Sequence, residues 1–430
     1  MIRAVGEGKR SQFVHARRPA ADGDPVRLLI VHPRDPAAPT IGGIQTFLRD
    51  FIKYAPPDFE ITFVGVTRDA AVRPVGRWTA LELHGHRVRF LAVGRADGSS
   101  RSPATPLWTA VGLARLWRAL RVPGRILQVH RPYRRVMLDR HRGPTVQFIH
   151  LDLRDWPGPH FWPKLSTLYR EFSDATLERM DRVLIVNETG AEFLRGEHPA
   201  IAERVDFLPV WYDADLFMPV PADERSGLRR DLGRRLGLDE GACETQRFVL
   251  MAVRLTEFKN PLLAIDTIAA VARRGRSDVQ LVIAGSGELL DATRERAVAL
   301  GIADRVHFLG DLPRDDLARV MQASDALLLA ARSEGGGPRV VLEALACGLP
   351  VVSTTVVEVR RTVTSGVNGW LAADSSPDEL AAGIDWVLAQ EHGTLVNACV
   401  RASSPYTAER MLAGLYETYR SLGDRGLEPR

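Results

Sequence analysis

The sequence predicts an α/β protein made of two doubly wound domains, each built on a mainly parallel sheet. Its 430 residues exceed what one compact core holds and fit about two domains. Short apolar runs alternate with amphipathic helical stretches, and the alternation restarts at Arg247 after a proline-rich, polar segment at 209–225. Parallel strands are buried on both faces, so helices are expected to cover each sheet from two sides.

The same pattern predicts the domain limits. Residues 25–208 are expected to form the first domain, 209–225 the connector and 226–405 the second domain. The last helix, about 406–424, is expected to pack back on the first domain. Residues 1–24 are polar and basic and lack the apolar stretch of a secretory signal, so they are predicted to be a flexible leader.

Composition excludes some classes of protein. Hydrophobic residues make up 45% and charged residues 26%, as in ordinary soluble globular proteins. No apolar run approaches the roughly 18–20 residues that a membrane helix needs. The three cysteines lie far apart and form neither a metal-binding spacing nor a disulfide framework. These features favour a cytoplasmic location.

One stretch of the first domain is strongly basic. Ten arginines and one acid lie between Arg101 and Arg142, together with Trp108 and Trp117. This segment is either a surface helix in an Arg-rich protein or a basic amphipathic segment that rests on anionic lipid. Nucleic acid is set aside as a partner because no reader motif accompanies the charge.

Candidate ligand contacts of the first domain follow its strands. A predicted strand, Arg27–Val31, leads through Gly42-Gly43 into an amphipathic helix, which makes a possible phosphate approach without the third glycine of a dinucleotide fingerprint. His130 and His150 stand at strand ends, where ligands of parallel sheets bind. Most lone histidines are structural, so each of these two histidines is either a ligand contact or a structural residue. A long helical stretch is also predicted at Phe161–Met180.

Asp213-Ala-Asp215 has the Asp-x-Asp pattern with which some sugar-nucleotide enzymes hold a divalent metal. No strand leads into it, and prolines flank it on both sides. It is therefore interpreted as part of the connector, and no metal site is predicted.

In the second domain, the strand Phe248–Val253 ends in a loop that carries Arg254 and Lys259. Two fixed cations there could neutralise a diphosphate, although a solvated loop is the alternative. Asn260 is predicted to cap the next helix with its side chain. The loops at 254–259, 285–288 and 334–337 each follow a strand and are expected to face one crevice.

Residues 332–352 contain three glycines, then Pro338 at a predicted first helical position. Backbone N–H groups near Gly336 and Gly337, aimed by the helix N-terminus, suit an anion. Glu334 and Glu343 bracket this turn and are suited to the hydroxyl groups of a ribose or a hexose. The plainer alternative is a buried strand-loop-helix unit with incidental charges.

Taken in order, these motifs resemble the family 4 retaining glycosyltransferases of the GT-B fold, from about Pro25 to the last helix. The resemblance is carried by Arg254-Leu-x-x-x-Lys259, Gly285-Ser-Gly-Glu288, Phe308-Leu-Gly310 and Glu343-Ala-Leu-Ala-Cys-Gly-Leu-Pro-Val-Val. It implies two Rossmann-like domains that face each other across a cleft. The implied catalytic residues are Arg254, Lys259, His150 and Glu334. The implied substrate-binding residues are Gly42, Gly43, His130, Gly285, Gly287, Gly336, Gly337, Pro338, Val340 and Glu343.

Three positions depart from the family pattern. Eight residues separate Glu334 from Glu343, where the family usually has seven. Arg361 stands where the family has a glutamate. The connector reads Val-Trp-Tyr-Asp213 in place of Asn-Gly-Val-Asp.

The resemblance implies metal-independent, cofactor-free transfer of a sugar from a nucleotide diphosphate donor to a hydroxyl of a glycan or lipid-linked acceptor, with retention of configuration. The basic stretch raises the hypothesis of peripheral association with the inner face of the membrane. Two alternatives remain open: a sugar-nucleotide epimerase of the same fold, and a non-catalytic GT-B module in a glycan-assembly complex.

Overall fold

The computed structural model describes residues 24–38, 42–96, 125–130, 141, 143–150, 177–239, 242–332 and 337–425. Strands and helices are numbered here along these described residues. Residues 1–23 of the predicted leader, residues 101–124, 131–140 and 142 of the basic stretch, and residues 161–176 of the predicted helix lie outside them.

Eight described strands form the first sheet, in the order β3-β4-β2-β1-β5-β6-β7-β8. Their bounds are β1 Val26–Val31, β2 Phe59–Thr67, β3 Trp78–Leu83, β4 His86–Arg95, β5 Ile126–Val129, β6 Thr145–Ile149, β7 Arg182–Ile185 and β8 Val205–Phe207. All neighbours pair in parallel except β3, which is antiparallel to β4. The sequence interpretation missed β3 because this edge strand alternates exposed and half-buried residues and has no apolar run.

Six described strands form the second sheet, in the order β11-β10-β9-β12-β13-β14, all parallel. Their bounds are β9 Arg247–Ala252, β10 Val279–Ala284, β11 Val306–Gly310, β12 Ala326–Leu329, β13 Val351–Ser353 and β14 Gly369–Leu371. The predicted pair of parallel-sheet α/β domains is therefore confirmed.

Helices cover both sheets. Their bounds are α1 Gly43–Lys53, α2 Glu188–Glu197, α3 Ala222–Arg235, α4 Ala242–Thr245, α5 Pro261–Arg273, α6 Leu290–Ala299, α7 Arg314–Ala323, α8 Arg339–Ala346, α9 Pro377–Ala389, α10 His392–Ser403 and α11 Ala408–Arg425. Short 3-10 helices occupy Pro199–Arg204, Glu257–Lys259, Ala303–Arg305, Val357–Arg361 and Ser404–Tyr406. Among the described residues, no helix is both long enough and apolar enough to cross a membrane.

Helix α1 shows why these segments fold as they do. Its apolar residues recur at helical spacing, and Phe47, Leu48, Phe51 and Ile52 are buried on the face that meets the first sheet. Gly42 precedes the helix with φ 107°, a backbone conformation that residues with a side chain rarely adopt. The chain thus enters α1 through a conformation at Gly42 that favours glycine.

The chain passes between the two sheets twice, and the two crossings lie side by side. The Tyr212 N–H donates to Tyr406 O at 3.1 Å, and the Ala408 N–H donates to Tyr212 O at 2.7 Å. Helix α11 then lies on the first sheet, where the Tyr416 hydroxyl donates to Phe51 O at 2.5 Å. Residues 222–225 of the predicted connector form the first turn of α3.

Two local expectations need correction. Asn260 does not cap α5 with its side chain, because it has a left-handed backbone (φ 48°) that closes the preceding 3-10 turn. Its own N–H donates to Thr256 O and Glu257 O. Pro338 is the residue before α8 and not its first helical residue, a shift of one position.

Candidate active site

Two loops of the second sheet contact each other directly at the ends of β9 and β10. The Leu255 N–H donates to Ser286 O at 3.0 Å, and the Leu289 N–H donates to Leu255 O at 3.1 Å. The Arg332 N–H, just before the third predicted loop, donates to Phe258 O at 2.9 Å. The loops at 254–259 and 285–288 are therefore neighbours at one edge of the sheet.

Both predicted glycines of the second loop are needed for this contact. A Cβ on Gly285 would lie 2.0 Å from Val253 O, and a Cβ on Gly287 would lie 2.2 Å from Leu255 O. Gly285 also has φ 137°. Only residues without a side chain let the two loop backbones approach this closely.

The two predicted cations differ in exposure. Arg254 is exposed and Lys259 is partly exposed at the same loop. Both lie at the carboxyl end of a parallel strand, the edge where ligands of such sheets bind. The loop can therefore present positive charge to an anion from solvent.

Helix α8 begins beside the connector. A Cβ on Gly337 would lie 2.8 Å from Val210 Cγ2, so Gly337 packs on the connector. Pro338 is buried and Val340 is half-buried. Glu334 and Gly336 lie outside the described residues.

Arg339 links α8 to the first domain, and the sequence interpretation did not single it out. Its guanidinium donates to Asp50 Oδ2 at 3.0 Å and to Trp211 O at 2.8 Å. It also lies over the Trp211 indole, 5.4 Å from the ring centroid. The sequence signal that could have identified Arg339 is its position between Pro338 and an apolar run. A buried residue is expected there, and a buried arginine needs a charged partner.

Glu343 is buried beside Arg314 of α7. It is 6% exposed, and its Oε1 lies 3.5 Å from Arg314 Nη2. Burial raises the pKa of this carboxyl, while the charges of Arg314 and Arg339 act in the opposite direction. The carboxylate is thus engaged by Arg314 in this structure, and its role as a ribose ligand stays a prediction.

The two predicted histidines form one hydrogen-bonded pair in the first domain, with their rings nearly coplanar. His130 Nδ1 and His150 Nε2 are 2.8 Å apart, and the rings are inclined by only 12°. Phe47 contacts both rings edge-on. His130 is 4% exposed and His150 is half-buried, so a ligand in the cleft would meet His150 before His130.

Both histidines are neutral at pH 7. Burial, with a further contribution from the charge of Arg339, lowers the pKa of His150 to about 3. Burial is also the main cause that lowers the pKa of His130 well below its ordinary value. The electrostatic effects of His150 and His32 lower this pKa further. His150 therefore acts through one N–H and one lone pair.

Gly42 and Gly43 lie at the start of α1 and are exposed. A Cβ built on either would meet no atom within 4 Å, so both face open space. The same helix carries Phe47 and Asp50, which contact the histidines and Arg339. Helix α1 therefore connects the predicted Gly-Gly approach to the rest of the candidate site.

Asp213 of the Asp-x-Asp pattern is fully buried between cations of α1. Its oxygens accept from Lys53 Nζ at 2.7 Å, from Arg49 Nη2 at 3.1 Å and from the Tyr54 hydroxyl at 2.8 Å. Burial alone would raise the pKa of this carboxyl, but the hydrogen bond and charge of Lys53 hold it below the ordinary value. Among the described residues, no group of three or more His, Cys, Asp or Glu is arranged to hold a metal ion.

Arg361, which the resemblance predicts to replace a glutamate, contacts the first domain from the second. Its guanidinium pairs with Glu188 of α2 and lies over the Phe207 ring, 4.7 Å from the centroid. Its Nε lies 3.6 Å from Glu358 Oε2. Arg361 and Glu358 line a small cavity together with Gly337 and Pro338.

Comparisons with known proteins bear on the sequence and on the fold separately. Residues 239–403 match the family model described as glycosyl transferases group 1. A D-inositol 3-phosphate glycosyltransferase of Mycobacterium marinum is 31% identical over 258 residues, which cover 58% of this chain and 52% of that protein. The chain therefore spans about half the length of the curated relatives it matches.

Solved structures extend the likeness to almost the whole chain. Sucrose-phosphate synthase from Thermosynechococcus elongatus superposes with a TM-score of 0.72 at 18% identity, covering 93% of this chain and 99% of that one. Anabaena Alr3699/HepE, in complex with UDP-glucose, gives a TM-score of 0.68 at 20% identity, covering 92% and 99%. The chain thus has the GT-B glycosyltransferase fold, and its residues 239–403 are similar in sequence to the group 1 glycosyl transferases.

Proposed function

We propose that this protein is a retaining glycosyltransferase of the family 4 type that transfers a hexose from a nucleotide diphosphate donor to a hydroxyl. The observation that carries the proposal is the placement of cations and glycines. Arg254 and Lys259 share a loop that hydrogen-bonds to the Gly285–Gly287 loop, at the edge where parallel α/β sheets generally bind ligands. The half-buried His150 belongs to the facing domain.

In the proposed reaction, the bond between the anomeric carbon and the diphosphate oxygen breaks while the acceptor oxygen bonds to that carbon. Negative charge develops on the departing diphosphate, and Arg254, Lys259 and the N–H groups before α8 stabilise it without a metal. The acceptor proton passes to a departing phosphate oxygen on the same face of the sugar. His150 and Glu334 orient the donor sugar, and closure of the two domains excludes water.

The first experiment is a thermal-shift screen with UDP-, GDP-, ADP- and dTDP-sugars, since a ligand of the folded state raises its stability. The donor that stabilises the protein is then incubated with acceptor polyols, including a phosphorylated polyol because the sequence relatives are D-inositol 3-phosphate glycosyltransferases. A glycoside with the donor's anomeric configuration, formed in the presence of a chelator, supports the proposal. A product of inverted configuration contradicts it.

Arg361 favours a second candidate, a GT-B module that binds nucleotide without catalysis. It replaces a family glutamate and is already paired with Glu188. Binding of a nucleotide sugar with no turnover on any acceptor would support this candidate. Interconversion of two donor sugars without an acceptor would instead identify the epimerase of the same fold.

For the acceptor, we propose a membrane-associated glycan or a lipid-linked molecule and a cytoplasmic protein that binds the membrane peripherally. The support is the basic stretch 101–142, which lies in the domain that the family uses for acceptors. The protein should float with anionic liposomes, and a variant lacking the charges of Arg115, Arg118 and Arg121 should float less. Equal failure of both proteins to float would contradict the proposal.

A further inference from the structure

A chain of hydrogen bonds connects the last helix to the candidate site. The Tyr419 hydroxyl of α11 lies 2.6 Å from Gln128 Oε1 on β5. Gln128 Nε2 lies 2.7 Å from His130 Nε2, and His130 Nδ1 lies 2.8 Å from His150 Nε2. Tyr419 and Gln128 are fully buried and His130 is nearly so, so these groups are shielded from bulk solvent.

The chemistry of each group determines which atom donates and which accepts in these hydrogen bonds. A buried hydroxyl donates to its partner, because an unpaired buried donor costs more than an unused lone pair on an acceptor. Tyr419 therefore donates to Gln128 Oε1, which leaves the amide N–H of Gln128 to donate to His130 Nε2. A side-chain amide nitrogen can only donate, so His130 Nε2 carries no proton.

The two histidines continue the direction. A neutral imidazole has one N–H, so His130 carries its proton on Nδ1 and donates it to His150 Nε2. His150 in turn must carry its proton on Nδ1. Burial raises the pKa of Tyr419 well above its ordinary value and lowers those of both histidines, so that each member of the chain is uncharged at pH 7.

We propose that Tyr419 is a positioning residue, which acts through Gln128 and His130 to hold His150 as the Nδ1–H tautomer. His150 then offers a hydrogen-bond donor to the candidate site, where the other tautomer would offer a bare lone pair. A donor suits a sugar hydroxyl oxygen or a phosphate oxygen. This use of His150 rests on the proposed function, whereas the tautomer itself does not.

The tautomer is measured directly on the unliganded 430-residue chain with ¹⁵N-labelled histidine. Long-range ¹H–¹⁵N correlation spectra distinguish protonated from bare ring nitrogens, and a His150→Asn variant assigns the His150 signals. We expect a protonated Nδ1 and a bare Nε2 on both His130 and His150. A protonated Nε2 on His150 in the wild-type protein would overturn the proposal.

Two variants break the chain at different links. Tyr419→Phe frees the Gln128 amide to turn over, and Gln128→Met removes the donor to His130, so His150 should show a mixture of tautomers in each. Tyr416→Phe is the matched control on the same helix, because its buried hydroxyl donates to Phe51 O outside the chain. Gln147→Met is the control for the loss of a buried amide on the adjacent strand. If Tyr419→Phe and Gln128→Met fold and His150 still shows only the Nδ1–H form, the proposal is contradicted.

Activity gives a second test that separates positioning from stability. With a donor and an acceptor that react, kcat/KM of Tyr419→Phe should fall about tenfold, as expected for one lost hydrogen bond, and that of Tyr416→Phe should stay at the wild-type value. In a His150→Asn background, Tyr419→Phe should cause no further loss. A tenfold loss that persists in that background would show that Tyr419 does not act through His150.

The two proposals fail separately. If His150 has the Nδ1–H tautomer but no donor turns over, the transferase proposal fails and the proposal about the His150 tautomer stands. If sugar is transferred while His150 carries its proton on Nε2, the proposal about the His150 tautomer fails and the transferase proposal stands.

Discussion

At the scale of single residues, the arginines of the candidate site play opposite physical roles. Arg254 is exposed at the end of β9 and can meet an anion from solvent. Arg339 has an 11% exposed side chain and is already engaged by Asp50. The first is suited to ligand charge, and the second to holding elements together.

Replacing Arg254 or Lys259 by alanine should lower kcat by about 10²–10³-fold, because each would remove a fixed charge that stabilises the departing diphosphate. The thermal unfolding midpoint should stay near that of the wild type, since neither side chain lies in the core. Steady-state kinetics and calorimetry check the two parts. Arg230→Ala, at an exposed position of α3, is the control. Wild-type turnover in both site variants would remove the diphosphate assignment.

His150 should make the protein less stable in acid. Its pKa is about 3 when folded and near 6.5 when unfolded, so the unfolded state binds the proton first as the pH falls. Its contribution is complete above pH 6.5 and decreases by about 1.4 kcal/mol per pH unit below that value. Urea titrations between pH 7 and pH 5 should give a shallower pH dependence for His150→Gln. An unchanged slope would contradict the low pKa.

At the scale of elements, the site depends on loops and helices that touch through their backbones. The loops after β9 and β10 lie in direct contact, and Gly285 and Gly287 supply the space. Helix α11 follows the second domain in sequence but packs on the first sheet, where Arg420 pairs with Asp58 at 2.8 Å. Each domain therefore includes residues that lie far apart in the chain.

Gly285→Ala should destabilise the second domain by about 1–3 kcal/mol, because its Cβ would overlap Val253 O and its φ is positive. The displaced loop should also weaken the thermal shift caused by the nucleotide sugar that the screen identifies. Gly196→Ala in α2 is the control, since a Cβ there meets no atom within 4 Å. Equal stability of the two variants in urea unfolding would show that the loops are not in close contact.

At the scale of the whole molecule, buried charges join the domains beside the connector. Arg339 of the second domain reaches Asp50 and Trp211, while Asp213 reaches Arg49 and Lys53 of α1. Charges in such a low-dielectric site must be paired, since an unpaired one is costly. These contacts therefore fix how α1, the connector and α8 meet.

Arg339→Met should cost about 3–5 kcal/mol of unfolding free energy, because it leaves the fully buried Asp50 without its cation. The double variant Asp50→Asn/Arg339→Met should regain much of that loss, since no unpaired charge remains. Urea unfolding of the single and double variants measures the coupling. Additive effects would show that the two side chains do not interact across the domains.

The fold class and the loops of the second domain could be predicted because their signals are local. Apolar runs bounded by glycine and proline identify the strands, and helical spacing identifies α1 and α5. The edge strand β3 gave no such signal because it is half exposed. The sequence could not show that the Asn260 side chain leaves α5 uncapped, since its backbone conformation depends on the turn before it.

Local sequence patterns were enough to predict two parallel α/β units, with Arg254, Lys259 and two glycines in loops after strands. Three long-range contacts follow from the tertiary fold: Arg314 pairs with Glu343, Asp50 pairs with Arg339, and Tyr419 donates to Gln128, 291 residues away. Periodicity reports which face of an element is buried. It does not report which distant polar group lies opposite, because that depends on how the chain crosses between the domains and returns.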